Sequence, residues 1–128
     1  MERVKEFLKA TGQPINAPYS VERFAFRGRL MREECAELVE SIEFLPGLEA
    51  QGEETRRKAL ADILKEMCDV IYVIHGTALA FGWDLDEAYD RVCRNNMTKT
   101  INIRKDPVTQ KVLKPLDYKK VNLEDLVS

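Results

Sequence analysis

Two long stretches of this chain repeat their apolar residues at spacings of three and four, with a short polar break between them. The first runs from about Val21 to Leu45 and carries Met31, Cys35, Leu38, Ile42 and Leu45 as its stripe. The second runs from about Thr55 to Phe81, with Leu60, Ile63, Leu64, Met67, Val70, Ile71 and Ile74. That period belongs to a helix that buries one face. Pro46 and Gly47 are expected to end the first helix. Leu48 to Glu54 reads as a loop, and Gly82 as a left-handed cap after the second helix. Two long helices joined by a short loop pack antiparallel. The chain is therefore predicted to be all-α, built on a helical hairpin.

The flanks add shorter pieces. Val4 to Ala10 reads as a short amphipathic helix stopped by Gly12 and Pro14, and Ile15 to Ser20 as a loop. Asp84, with Glu87 three residues on, is an N-cap signature. The helix it starts carries Leu85, Ala88, Tyr89, Val92 and Cys93 and ends near Asn95 and Asn96. The expected fold is an antiparallel bundle of four to five helices. Residues 97–128 contain Pro107, Pro115 and several lysines, and read as an irregular C-terminal arm. Within it, Ile101 to Ile103 and Lys111 to Leu113 are expected to pair as a short hairpin. A length of 128 residues suits one domain spanning 1–128, arm included.

Composition removes several classes of function. The chain is 45% hydrophobic and 33% charged, with a net charge of -2. A purely electrostatic nucleic-acid binder is basic, so a nucleic-acid partner is not expected. No apolar run approaches the roughly 18 residues of a membrane span. Met1 to Ala10 is charged and lacks an apolar signal core, so a cytoplasmic location is expected. The three cysteines, Cys35, Cys68 and Cys93, are odd in number and widely spaced, unlike a disulfide framework or a zinc site. Cys35 and Cys68 fall in helical apolar patterns and are expected to be buried small hydrophobes.

The informative residues are acidic. Glu34 and Glu37 lie three apart on the first long helix, with Glu33 beside them, and Glu66 and Asp69 lie three apart on the second. Residues at that spacing share a helix face. At ~100° per residue, both pairs border their helix's apolar stripe. Antiparallel packing of the stripes then brings the pairs to one cleft. Clustered carboxylates repel and resist ionisation, and such a cluster persists at neutral pH when a cation fills it. Oxygen ligands select a hard ion, Mg²⁺ with Mn²⁺ as a substitute. Magnesium shares its coordination with substrate phosphates, which points to phosphate-ester chemistry. Against this stands the ordinary reading of glutamates at helical spacing as a solvated face, which suits Glu40, Glu43, Glu53 and Glu54. A di-iron bundle needs Glu-x-x-His pairs, and the single histidine, His75, forms none.

The two pairs, Glu34-x-x-Glu37 and Glu66-x-x-Asp69, resemble the motifs of the all-α NTP pyrophosphatase superfamily. That group includes MazG-like proteins, dimeric dUTPases, dCTP pyrophosphatases and phosphoribosyl-ATP pyrophosphatase. RGRLMREECAELVESI is similar to the first motif helix. LADILKEMCDVIYVIHGTALAFGWDLDEAYDRVCRNNMTK is similar to the second motif helix, its glycine turn and the following helix. KVLKPLDYKKVNLEDL is similar to the phosphate-contacting tails of MazG-like and phosphoribosyl-ATP pyrophosphatase-like members. The resemblance covers roughly Arg27 to Leu126. It implies that Glu34, Glu37, Glu66 and Asp69 are the metal ligands. It leaves Glu33 as a further ligand or as the base for the attacking water. It also implies a homodimer or homotetramer that cleaves the bond between the α and β phosphates of a nucleoside triphosphate, releasing monophosphate and pyrophosphate.

Phosphoryl transfer asks mainly for positioning and charge neutralisation. Lys99, Lys111, Lys114 and Arg94 are the candidate cations for the triphosphate, with Tyr118 as a hydroxyl donor and Asn96 for sugar or phosphate. Arg27 is expected in a supporting or interface role. Phe24, Phe26, Trp83 and Tyr89 are aromatic enough to wall a nucleobase, although bundle core or interface is the commoner use of such residues. The base and sugar are left open. The competing reading is a non-catalytic regulatory module that binds nucleotide or metal.

Overall fold

The computed structural model describes residues 1–127, and side chains over that range other than the one at position 49. It contains helices α1 (Glu2–Ala10), α2 (Val21–Glu49), α3 (Glu53–Phe81) and α4 (Leu85–Met97), with 3₁₀ turns at Thr98–Thr100 and Glu124–Leu126. No strand longer than an isolated bridge occurs among the described residues. The all-α expectation is met. The chain divides into two units, residues 1–82 and 83–128.

The first unit is the hairpin of α2 and α3, with α1 against α3. Ser20 caps α2, its side chain accepting from the Arg23 N–H at 3.1 Å. Expectation and structure part at the turn of the hairpin. Pro46 lies inside α2, which runs on to Glu49. A proline ring removes one helical hydrogen bond, but only one turn follows it here, so the disruption is confined to the helix end. The connecting loop is accordingly short, and Gly52 enters α3 with a φ of 109°. At the far end Gly82 takes the left-handed cap, with φ 69°. The loop before α2 closes this end. The N–H groups of Asn16 and Ala17 donate to the Leu79 and Ala80 carbonyls at 2.9 and 2.7 Å. The Leu79 carbonyl also accepts from the Gly82 N–H at 3.3 Å, whereas the Ala80 carbonyl is of the kind that a helix end leaves without a partner inside the helix.

The core gathers at that closed end. Val4 and Leu8 of α1 are buried with Ala78, Ala80 and Phe81 of α3, and Leu8 is only 2% exposed. Tyr19, Phe24 and Phe81 cluster with ring centroids 6.1–6.4 Å apart. Elsewhere the stripes are poorly covered. Ile42, Phe44, Leu60, Leu64, Met67 and Ile71 are exposed. Cys35 and Cys68 are exposed as well, against expectation. One hairpin seam is narrower than the stripe each helix carries, so residues on the stripe's flank remain outside.

In the second unit, Asp84 caps α4, accepting from the Glu87 N–H at 3.0 Å. The tail does form a hairpin-like turn, but shifted from the expected pairing. Lys105 bridges Val112, and the Leu113 N–H donates to the Arg104 carbonyl at 2.8 Å. Asp106 organises this turn by accepting from the N–H groups of Val108 and Thr109 at 2.8 and 2.9 Å. That side-chain turn chemistry outweighs the β-branched pair that drew the expectation to Ile101 to Ile103. Arg91 clips the C-terminal segment to α4. Its guanidinium donates to both Asp125 oxygens at 2.7 and 2.9 Å and to Glu87 at 2.8 Å. Among the described residues, no helix is long and apolar enough to cross a membrane.

Candidate metal centre and its surroundings

The hairpin brings the two acidic pairs together. Glu34, Glu37 and Glu66 each offer an oxygen within 4.8 Å of the others. Two of these residues carry an orphaned atom. Glu34 Oε2 and Glu66 Oε2 are buried without a hydrogen-bond partner. Burial raises the Glu34 carboxyl above its ordinary pKa, helped next by the charge of Glu37 and a hydrogen bond to it, then by Asp69 and Glu66. A carboxylate cluster with unmatched buried oxygens is a fit for a cation. With only oxygens offered, the fit is to a hard ion such as Mg²⁺ or Mn²⁺.

Asp69 lies close enough to act on Glu34, but it is engaged by a side chain that the sequence reading passed over. Lys65 Nζ stands 2.7 Å from Asp69 Oδ2 and 3.4 Å from Glu66 Oε1. These contacts raise the Lys65 pKa, the hydrogen bond to Asp69 most. The i, i+4 spacing of Lys65 and Asp69 was the available signal. Glu33 is exposed on α2 beside Glu34 and is outside the group of three converging oxygens.

Arg27, the residue expected in a supporting or interface role, is buried in the first unit. It is 5% exposed, and burial lowers its pKa. Its Nε donates to Thr77 Oγ1 at 3.1 Å, Nη1 to Gln13 Oε1 at 2.9 Å and Nη2 to the Val73 carbonyl at 3.0 Å. A cavity of about 310 Å³ in this unit has Arg27, Leu30 and Glu34 of α2 on one wall and Tyr72, Val73 and Gly76 of α3 on another.

The expected phosphate contacts lie in the second unit. Lys99 and Lys114 flank the Tyr118 ring, with Nζ 5.7 and 4.9 Å from its centroid. The Tyr118 hydroxyl accepts from Asn95 Nδ2 at 2.8 Å, so Asn95 rather than Asn96 is joined to this group. Asn96 and Lys111 are exposed. Arg94 is already paired with Asp90 at 2.9 Å and Glu87 at 3.7 Å. A cavity of about 550 Å³ is lined by Asn95, Thr98, Asn102, Arg104, Tyr118 and Lys119, among others. Of the aromatic residues considered for a base, Phe24 is exposed but stacks near Phe81 at 6.1 Å, and Phe26 lies under Arg29, whose Cζ is 5.9 Å from its centroid. Tyr89 is exposed.

Compared with known proteins, residues 2–96 match the family model of phosphoribosyl-ATP pyrophosphohydrolase. The match spans both acidic pairs and ends before Lys99, Lys111, Lys114 and Tyr118. No curated protein matches the chain. With about three quarters of its length matched and with the helical hairpin and carboxylate cluster in place, the chain belongs to the phosphoribosyl-ATP pyrophosphohydrolase family, a pyrophosphohydrolase family of the all-α NTP pyrophosphatase superfamily.

Proposed function

We propose that this protein is a Mg²⁺-dependent hydrolase that cleaves the α–β phosphate bond of a nucleoside triphosphate, giving a monophosphate and pyrophosphate. The observation that carries the reading is the convergence of Glu34, Glu37 and Glu66 oxygens within 4.8 Å, two of the residues holding buried and unmatched oxygens. In this reading Glu34, Glu37, Glu66 and Asp69 hold the metal, which when bound would neutralise phosphate charge and acidify a water. Glu33, exposed beside Glu34, accepts the proton of the attacking water. Lys99, Lys111, Lys114 and Arg94, with Asn96 and Tyr118, are proposed triphosphate contacts on their charge and hydrogen-bonding capacity alone. The exposed apolar residues of α2 and α3 support a homodimer or homotetramer, since a lone chain rarely leaves so much apolar surface in water.

The test is incubation of the purified protein with Mg²⁺ and a panel of NTPs and dNTPs, phosphoribosyl-ATP included. Monophosphate and pyrophosphate are expected. Phosphoribosyl-ATP is in the panel because the matched family carries its name. Diphosphate with orthophosphate would overturn the bond assignment. Saturable nucleotide binding without any product would favour the regulatory module instead.

A further inference from the structure

Arg27 is a buried cation whose three described partners, Thr77, Gln13 and the Val73 carbonyl, are all uncharged. Burying a charge without a counter-charge costs free energy, and an apolar residue of similar size often serves stability as well or better. Its three hydrogen bonds offset that cost and, unlike apolar contact, they are directional. The guanidinium is a planar fork with fixed donor geometry. Two of its prongs cross the hairpin seam from α2 to α3, one to a backbone carbonyl that cannot rotate away. The α3 helix is cut to receive it. A Cβ on Gly76 would run into Arg27 Nη2 and would stand 3.3 Å from its Cζ.

The clamp and the carboxylates are in phase. On α2, Glu34 follows Arg27 by seven residues, two helical turns or about 10.5 Å. On α3, Glu66 precedes Val73 by the same seven. Because the helices are antiparallel, both steps run the same way along the seam. Fixing Arg27 against Val73 thus fixes Glu34 opposite Glu66. A slide by one residue moves a side chain about 1.5 Å along the axis and ~100° around it, enough to take a carboxylate off the seam. Apolar contact is non-directional and resists such a slide weakly, and Leu60, Leu64 and Met67 are exposed rather than interlocked. Both Arg27 and Glu34 also line the same cavity.

We infer that Arg27 is a positioning residue whose clamp over Gly76 sets the register in which the α2 and α3 carboxylates converge on a divalent cation. The inference rests on the metal-site reading above. Its test is titration of the full chain with Mn²⁺ alone, followed by the loss of the free-ion EPR signal, with helical content checked by circular dichroism. Gly76→Ala displaces the fork while keeping its charge. Arg27→Lys keeps the charge but cannot span Val73 and Thr77 together. Thr77→Val is a milder variant should either of these fail to fold. Each is expected to weaken Mn²⁺ binding, the first two by about tenfold or more, the scale at which supporting residues act on metal sites. Gln13→Ala removes the bond that does not reach α3 and should leave Mn²⁺ affinity unchanged. Unchanged affinity in the α3-side variants, even with a lowered Tm, would overturn the inference. So would an equal loss in Gln13→Ala. Failure of the unsubstituted chain to bind Mn²⁺ would overturn the metal site itself, and the clamp's role with it.

Discussion

Lys65 and Asp69 are joined one turn apart on α3 by a 2.7 Å ion pair, and the same ammonium reaches Glu66 at 3.4 Å. The Lys65 side chain is largely exposed, so solvent screens the pair and it adds little to stability. Its effect on the site is larger, because it offers Asp69 a cation before any metal arrives. Lys65→Gln should therefore bind Mg²⁺ more tightly while its metal-free Tm falls only slightly. Isothermal titration checks this, and weaker Mg²⁺ binding in the variant would mean that the ammonium assists the site instead.

Glu37→Gln and Asp69→Asn each keep the size of the side chain and remove its charge. Both should lower hydrolysis by about 100-fold or more, beyond the 10–100-fold typical of residues that only support a metal site. Glu37→Gln should not lower the Tm of the metal-free protein, since it relieves like-charge repulsion, and Asp69→Asn should lower it only slightly, since it also breaks the ion pair to Lys65. The stabilisation by Mg²⁺, about 2.7 kcal/mol at 100 times Kd in the parent and read as a rise in Tm, should shrink in both. Parent-like turnover in either variant would remove that residue from the site.

The clip between Arg91 and Asp125 carries a pH dependence. Hydrogen bonds from Arg91 are the first cause of the lowered Asp125 pKa. A carboxyl lowered on folding contributes stability that is complete above its ordinary value of 3.8 and is lost as pH falls through the folded value. The C-terminal segment should thus loosen from α4 in acid and hold at neutral pH. Amide hydrogen exchange of residues 122–127 reads this directly. Asp125→Asn should exchange fast at neutral pH and lose the acid step, and parent-like protection in that variant would refute the clip.

Leu8 is the most deeply buried large side chain described. Leu8→Ala should destabilise the first unit by about 2–5 kcal/mol, the range for emptying such a position. Denaturant unfolding checks the figure. A loss below about 1 kcal/mol would show that α1 collapses onto the vacated space, since the cost of such a substitution depends on how far the site can close.

The helices were legible because their signals are local. Apolar residues at spacings of three and four announced α2 and α3, and Asp84 and Gly82 marked a start and a stop. The convergence of Glu34, Glu37 and Glu66 followed from two stripes and one antiparallel turn. Pro46 misled because a proline's cost depends on how much helix follows it, which composition does not state. Cys35 and Cys68 misled because periodicity marks a face without saying whether that face is covered within one chain. The Arg27 clamp was out of reach for another reason. It joins residues 46 and 50 positions apart, and neither an arginine nor a glycine in a helical pattern announces a partner at that distance.

The closure of α3 by the loop ahead of α2 has a bearing on how this chain tolerates change. Near the end of α3 the Leu79 and Ala80 carbonyls accept from Asn16 and Ala17, which precede the helix in sequence, and Leu79 accepts from Gly82 as well. The first unit therefore seals its own final helix with residues it already contains. Both halves of that seal lie within residues 1–82, so a chain lengthened or exchanged beyond Gly82 still carries them.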